Sequence, residues 1–399
     1  MKKIKFILTI FVLIIIYIYV CFVTGIPQSI VLLKGEDLKL KNLYGIEITE
    51  LAKTSNNNLN ISNAEISLFG KVPLKDINIT TIEDIQVVPI GKIIGLKLYT
   101  NGVLIVGMSE IEDKNNTLTK PYENSDLEEG DTILKINEQE IENIDALKEV
   151  VNKSKGDNVE ITLLRNGNVV TTSIKPVETE EKEYKLGLWV KDAATGVGTM
   201  TFYEPTTKSF AVLGHGITDS DTDSLINIDS GELVTSKVIS LKKGESENPG
   251  EIKGTIVNQQ TIGQVAKNTQ FGVYGILNNL TALNIDTSKA LKVALRDEIQ
   301  TGEAKILCAL DDSNVAKEYA IEIEKIYKDN DYNNKSMLIR VTDEELLEKT
   351  GGIIRGLSGA PIIQNGKFIG AVTNVLVSNP EIGYAIFGDL MIKQINTVD

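Results

Sequence analysis

The chain is poor in the residues that most often announce chemistry: 399 positions hold one histidine, two cysteines and one tryptophan. A lone His215 with Cys21 and Cys308 cannot assemble a zinc site, and there is no His-Glu-x-x-His or Cys-x-x-Cys motif. A carboxylate-only calcium or magnesium site has no motif behind it either, and no cofactor is expected. Cys21 falls in an apolar N-terminal run. Cys308, in Ala304-Lys305-Ile306-Leu307-Cys308-Ala309-Leu310, reads as a small hydrophobe of a buried strand, so no disulfide framework is expected. Basic charge is scarce too: 41 Lys and Arg stand against 55 Asp and Glu, a net charge of −14. A phosphate-binding face needs clustered cations, so neither a nucleic-acid partner nor broad docking on anionic lipid headgroups is expected.

What is present is enough apolar residue (42%) for a sizeable core, in a chain long enough for two or three folded units. Lys2, Lys3 and Lys5 precede an uncharged run from Phe6 to Val23. As a helix that run would be about 27 Å long, just enough to cross a bilayer core, with the lysines on the cytoplasmic side. A cleaved signal peptide would need a small-x-small site, and Cys21-Phe22-Val23-Thr24-Gly25-Ile26-Pro27 offers none of that kind. The expectation is therefore a signal-anchor over residues 1–27 with the rest of the chain outside the cytoplasm.

Residues 28–89 carry short alternating runs, Leu38-Lys39-Leu40 and Glu65-Ile66-Ser67-Leu68-Phe69 among them, and read as a small β-rich segment. Residues 90–176 say more. A strand at Gly102–Gly107 is followed by a polar loop, then Gly130-Asp131-Thr132-Ile133-Leu134-Lys135-Ile136-Asn137, which reads as a turn and a strand. An amphipathic helix follows at Asn143–Lys153, and then a hairpin through Asn166-Gly167. This order and wording resemble the PDZ domains of bacterial envelope proteases. The resemblance implies a groove that takes a peptide as an extra strand, with its loop near Ile94, Gly95 and Leu96. Charged residues 177–185 read as a linker. Residues 186–399 carry many short strands, with a helix at Thr342–Lys349, as in a sandwich or barrel.

Two motifs there carry chemistry. In Gly356-Leu357-Ser358-Gly359-Ala360-Pro361, glycines flank a serine in a way that suits a tight loop exposing a nucleophile. The amides of Gly356 and Ser358 would then be free to hold an oxyanion. In Leu213-Gly214-His215-Gly216-Ile217, the only imidazole of the chain sits between glycines after an apolar strand; if Ser358 is catalytic, His215 is the sole available base of that kind. A carboxylate should orient the imidazole, and spacing leaves Asp343, Asp219, Asp221 and Asp311 open. Asp343 also opens a helix, where it would favour the positive end.

Taken together, the anchor, the PDZ-like segment, Gly-His-Gly-Ile and Gly-Gly-Ile-Ile-Arg-Gly-Leu-Ser-Gly-Ala-Pro-Ile resemble the stage IV sporulation protein B family, signalling serine peptidases of endospore-forming bacteria. Leu357 and Ala360 stand where relatives often have Met and Ser. The resemblance implies Ser358 as nucleophile, His215 as base and Asp343 as the third member. It also implies action at the forespore inner membrane, on the chain itself and on a membrane-bound regulator of an intramembrane metalloprotease. That cut would release a late mother-cell sigma factor. The His-Asp-Ser order and Gly-x-Ser-Gly-x-Pro are similar to chymotrypsin-like proteases, so the expected fold is mainly β, with a double β-barrel over residues 186–399. Two other readings compete. One is a non-catalytic membrane-tethered PDZ adaptor with an inactive protease-like domain. The other is a Ser/Lys peptidase using Lys349 or Lys367.

Overall fold

The computed structural model describes residues 29–33, 46–56, 59–82, 85–328 and 333–395, together with part of 10–26. The described positions between 10 and 24 are helical, with exposed apolar side chains such as Phe11 and Tyr17. Among the described residues no helix is long and apolar enough to cross a membrane. Much of the expected anchor (residues 6–9, 12, 15, 18, 21 and 22) lies outside them, as does the Leu38-Lys39-Leu40 run. A four-stranded sheet follows, made of β1 (Ser29–Leu33), β2 (Ile46–Asn56), β3 (Leu59–Leu68) and β4 (Val72–Ile82). Three strands are joined as antiparallel hairpins, and β1 lies parallel to β4.

The rest is organised by one long strand, β5 (Gln86–Met108). Its first half is a stave of a barrel. Its second half pairs with β6 (Thr132–Ile136), which continues through β7 (Val159–Arg165) to β8 (Asn168–Ile174). The helix α1 (Ile144–Lys153) covers that sheet with Leu147, Val150 and Val151, the apolar stripe its spacing predicts. Asn143 caps it by accepting from the Ala146 amide. This is the PDZ-like body. The switch between the halves of β5 occurs at Gly102, whose φ is +95° and where a Cβ would stand 2.3 Å from the Ile133 carbonyl oxygen, so only glycine fits.

Barrel one is closed by β5, β9 (Leu188–Tyr203), β10 (Ser209–Val212), β13 (Gly272–Leu277), β12 (Glu251–Thr269) and β11 (Ile228–Lys242), because β11 pairs back onto β5. Barrel two is closed by β14 (Gly302–Cys308), β15 (Lys317–Ile326), β16 (Met337–Val341), β19 (Ile382–Phe387), β18 (Lys367–Val375) and β17 (Pro361–Gln364). A short helix, α2 (Glu344–Thr350), follows β16, and α3 (Gly388–Ile395) follows β19. The barrels meet through a shared apolar cluster in which Phe202 of barrel one stands edge-on to Phe368 of barrel two, ring centroids 5.4 Å apart.

The strand pairing divides the chain differently from the sequence expectation. Residues 86–100 belong to barrel one, so the PDZ-like body is inserted within the first barrel instead of preceding it. The expected linker is itself paired, Val177 and Glu178 with Lys185 and Tyr184. From Leu188 to Tyr203 the chain runs as one strand, β9, from the PDZ-like body into barrel one.

Candidate active site

His215 follows the end of β10, on a backbone that turns sharply. Leu213 has φ +76° and Gly214 φ +75°, and left-handed leucine is a strained choice that the flanking pairing must hold. The Leu213 amide bonds the Thr199 carbonyl at 3.2 Å. Beyond the histidine the chain forms a small hairpin closed by a bridge between Thr218 and Leu225. Asn268 of β12 clamps its base, donating to the Ile217 and Ile226 carbonyls and accepting from the Ile217 amide, at 2.8, 2.9 and 2.9 Å.

The Nδ1 of His215 is 2.8 Å from the Gly216 carbonyl oxygen. A carbonyl only accepts, so Nδ1 carries the hydrogen and Nε2 presents its lone pair. Burial pushes the imidazole below its usual 6.5, and the Gly216 carbonyl offsets part of that. The ring is therefore neutral at pH 7, the state a general base needs.

Ser358 lies on the loop before β17, and barrel one holds that loop. The Thr199 hydroxyl donates to the Gly356 carbonyl at 2.6 Å, and the Arg355 backbone exchanges bonds with Gly250 and Ile252 at 2.9 and 2.8 Å. Gly359 has φ +96°, and a Cβ there would stand 2.3 Å from the Thr199 carbonyl oxygen, so this glycine allows the close approach of the two barrels. Alternate amides of the loop are engaged, Leu357 by Ile354 at 3.1 Å and Gly359 by Val372 at 2.7 Å. Among the described residues the amides of Gly356 and Ser358 have no acceptor, and both residues line the cavity. Two free amides, the serine's own and that of the residue two before it, suit an oxyanion.

Ser358 and His215 line one cavity of about 1010 Å³ between the barrels. Its walls carry Leu96, Val197, Ile217, Leu225, Ile353 and Val375, and Asn334 and Lys335 contribute polar groups. The Ser358 hydroxyl donates to the Thr373 carbonyl at 2.6 Å, a partner that no motif signals.

The carboxylate assigned by resemblance is not brought to this site. Asp343 is the N-cap of α2; its oxygens accept from the Leu346 amide at 3.0 Å and the Ala320 amide at 3.2 Å, and it does not line the cavity. The local helix-start signal, not the triad, decides its place. Asp219 and Asp221 hold Lys191, and Asp311 caps its own turn at Ser313. The groove residues are displaced as well. Ile94, Gly95 and Leu96 sit inside barrel one, paired with β9 on one side and β11 on the other, with Ile94 and Leu96 fully buried. They leave no open edge for a peptide. A cavity of about 480 Å³ instead lies between α1 (Ile144, Leu147, Val151) and the segment from Tyr184 to Val190, where the only tryptophan, Trp189, is 64% exposed. Lys349 and Lys367 pair with Glu345 and Glu298, away from Ser358. Among the described residues no His, Cys, Asp or Glu cluster could hold a metal, and Cys308 is buried in the barrel-two core.

A family model for SpoIVB peptidase S55 matches residues 182–392, more than half of the chain. The chain belongs to that family. A PDZ domain model matches residues 102–175, beginning where β5 leaves barrel one. No curated protein matches the chain. The S55 match begins after the first stave of barrel one, so this S55 chain completes its barrel with residues 86–100, which lie before its PDZ domain.

Proposed function

We propose that this S55 protein is an active serine endopeptidase that works through an acyl-enzyme with a Ser358–His215 dyad. The observation that carries the reading is the shared cavity. One wall offers a neutral imidazole with its Nε2 lone pair available, and the other offers a serine whose own amide and that of Gly356 are free. In the reaction the Ser358 hydroxyl leaves the Thr373 carbonyl and gives its proton to Nε2 as Oγ attacks the scissile carbonyl carbon. The Gly356 and Ser358 amides hold the resulting oxyanion, a term worth about 3–4 kcal/mol per donor in comparable sites. His215 then returns the proton to the leaving amine, and water repeats the sequence on the ester. The Gly216 carbonyl, in place of a carboxylate, fixes the tautomer. The pair of six-stranded barrels with the site between them supports the chymotrypsin-like likeness.

The family likeness supports a finer setting. The substrates would be the chain itself and a membrane-bound regulator of an intramembrane metalloprotease, during sporulation signalling. The N-terminal run would anchor the protein in the forespore inner membrane, facing the intermembrane space. The groove beside α1 would receive a peptide. Incubating the full chain and its Ser358→Ala variant in separate samples tests the reading: fragments from the first alone are expected, and equal fragmentation of both rejects it. A second reading, a tethered PDZ adaptor with an idle site, is favoured by one observation, the hydroxyl's bond to Thr373 instead of His215. Absence of fluorophosphonate labelling at Ser358 would select it.

A further inference from the structure

Where β9 passes from the PDZ-like body into barrel one, its pairing with β5 slips between Lys191 and Ala193. The two residues at this bulge face opposite partners. Asp192 accepts from the Ile144 amide, the first of α1, at 2.9 Å, and so holds the helix that walls the PDZ groove. Lys191 donates to Asp219 at 2.8 Å and Asp221 at 2.5 Å, both in the hairpin that begins at His215. An exposed ion pair would be worth little. This one differs because Asp219 is only 4% exposed and its other oxygen closes the turn, accepting from the Asp221 and Thr222 amides. The same hairpin touches the PDZ-like body again, for a Cβ at Gly130 would stand 3.4 Å from the Ser224 hydroxyl.

We propose that Lys191 is a positioning residue for His215, the point at which the PDZ-like body sets the orientation of the catalytic base. The inference rests on the serine peptidase reading above. Asn268 fixes the base of the hairpin near residues 217 and 226, and Lys191 fixes its tip at 219–221, so the two anchors together leave the histidine's turn one orientation. Removing the lysine would leave a buried carboxylate unneutralised and free the tip, while Ser358, on barrel two, keeps its own supports.

The test is the time course of fluorophosphonate labelling of Ser358 on the full chain, read as both a rate and an end point. In Lys191→Met the rate is expected to fall roughly 10- to 100-fold, the scale of a misplaced catalytic group, with the wild-type end point reached. Lys191→Arg, which can span both carboxylates, is expected to restore most of the rate. A wild-type rate in Lys191→Met overturns the proposal, as does a lowered end point at unchanged rate, since unfolding removes sites without slowing those that remain. Should Lys191→Met fail to fold, Asp219→Asn removes the buried charge that Lys191 holds while keeping an oxygen to close the turn. A slower rate at full end point then supports the proposal, and an unchanged rate overturns it. Failure of the wild-type chain to label at all rejects the peptidase reading instead.

Discussion

Barrel two is made from one unbroken stretch, residues 302–387, whereas barrel one takes a stave from residues 86–100 and nothing more until Leu188. Each lines the same cavity with one side chain of the proposed dyad, Ser358 from barrel two and His215 from barrel one. The difference lies in what holds each in place. The serine loop is gripped by the facing barrel, with Thr199 on the Gly356 carbonyl and Gly250 and Ile252 on the Arg355 backbone. The histidine's hairpin is held by Asn268 of its own barrel on one side and by Lys191, at the edge of the PDZ-like body, on the other. The motif of the contiguous barrel answers to the barrel it faces, while the motif of the interrupted barrel is also exposed to whatever interrupts it.

The largest test of this division is catalytic. Ser358→Ala and His215→Ala are each expected to lower self-cleavage by roughly 10⁴- to 10⁶-fold, since groups acting as a unit fail together. A His215→Ala variant with near-normal turnover would break the pairing of the barrels. Next comes the joint between them. Phe368→Ala empties a fully buried ring site against Phe202 and is expected to cost about 3–5 kcal/mol in denaturant unfolding, with both barrels melting together. Separate transitions would show two independent bodies.

A smaller effect is pH dependence. The folded imidazole lies below its ordinary 6.5 because it is buried, so the unfolded chain binds the extra proton first. Stability from this group therefore rises with pH up to about 6.5 and is level above it, and the acid limb of kcat/KM falls below that same value. A pH–rate profile with its acid midpoint above 6.5 would contradict the burial. Smallest is Asp343→Ala, expected to cost about 1 kcal/mol of stability as a lost helix cap while leaving the labelling rate nearly unchanged. A large loss of rate at full labelling end point would return Asp343 to the catalytic machinery.

The legibility of the sequence does not follow the same division. In barrel two the apolar run around Cys308 was readable as a buried strand, while β15, whose Tyr319, Ile321 and Ile323 alternate with Glu318, Ala320 and Glu322, was not read as one. Ser358 and His215 were readable from glycine spacing, and Gly356 from the free amide such spacing permits. The long strands β11 and β12 went unseen because they are rich in Gly, Ser, Thr and Lys and have no continuous apolar run. Ile94, Gly95 and Leu96 were misplaced for a different reason. A single strand changes bodies at Gly102, and a strand pattern carries no record of which sheet receives it. Asp343 reads as a helix cap and as a triad carboxylate alike, and only the fold separates the two.

The shared stave has a consequence for processing. A cut anywhere before Gln86 sheds the N-terminal sheet and the apolar run yet leaves six staves around the histidine's barrel. A cut between residues 86 and 102 opens that barrel, and so does any fragment that starts at the PDZ boundary. Maturation that keeps this protein working therefore has a downstream limit, set by where a strand begins and not by where a domain is conventionally drawn.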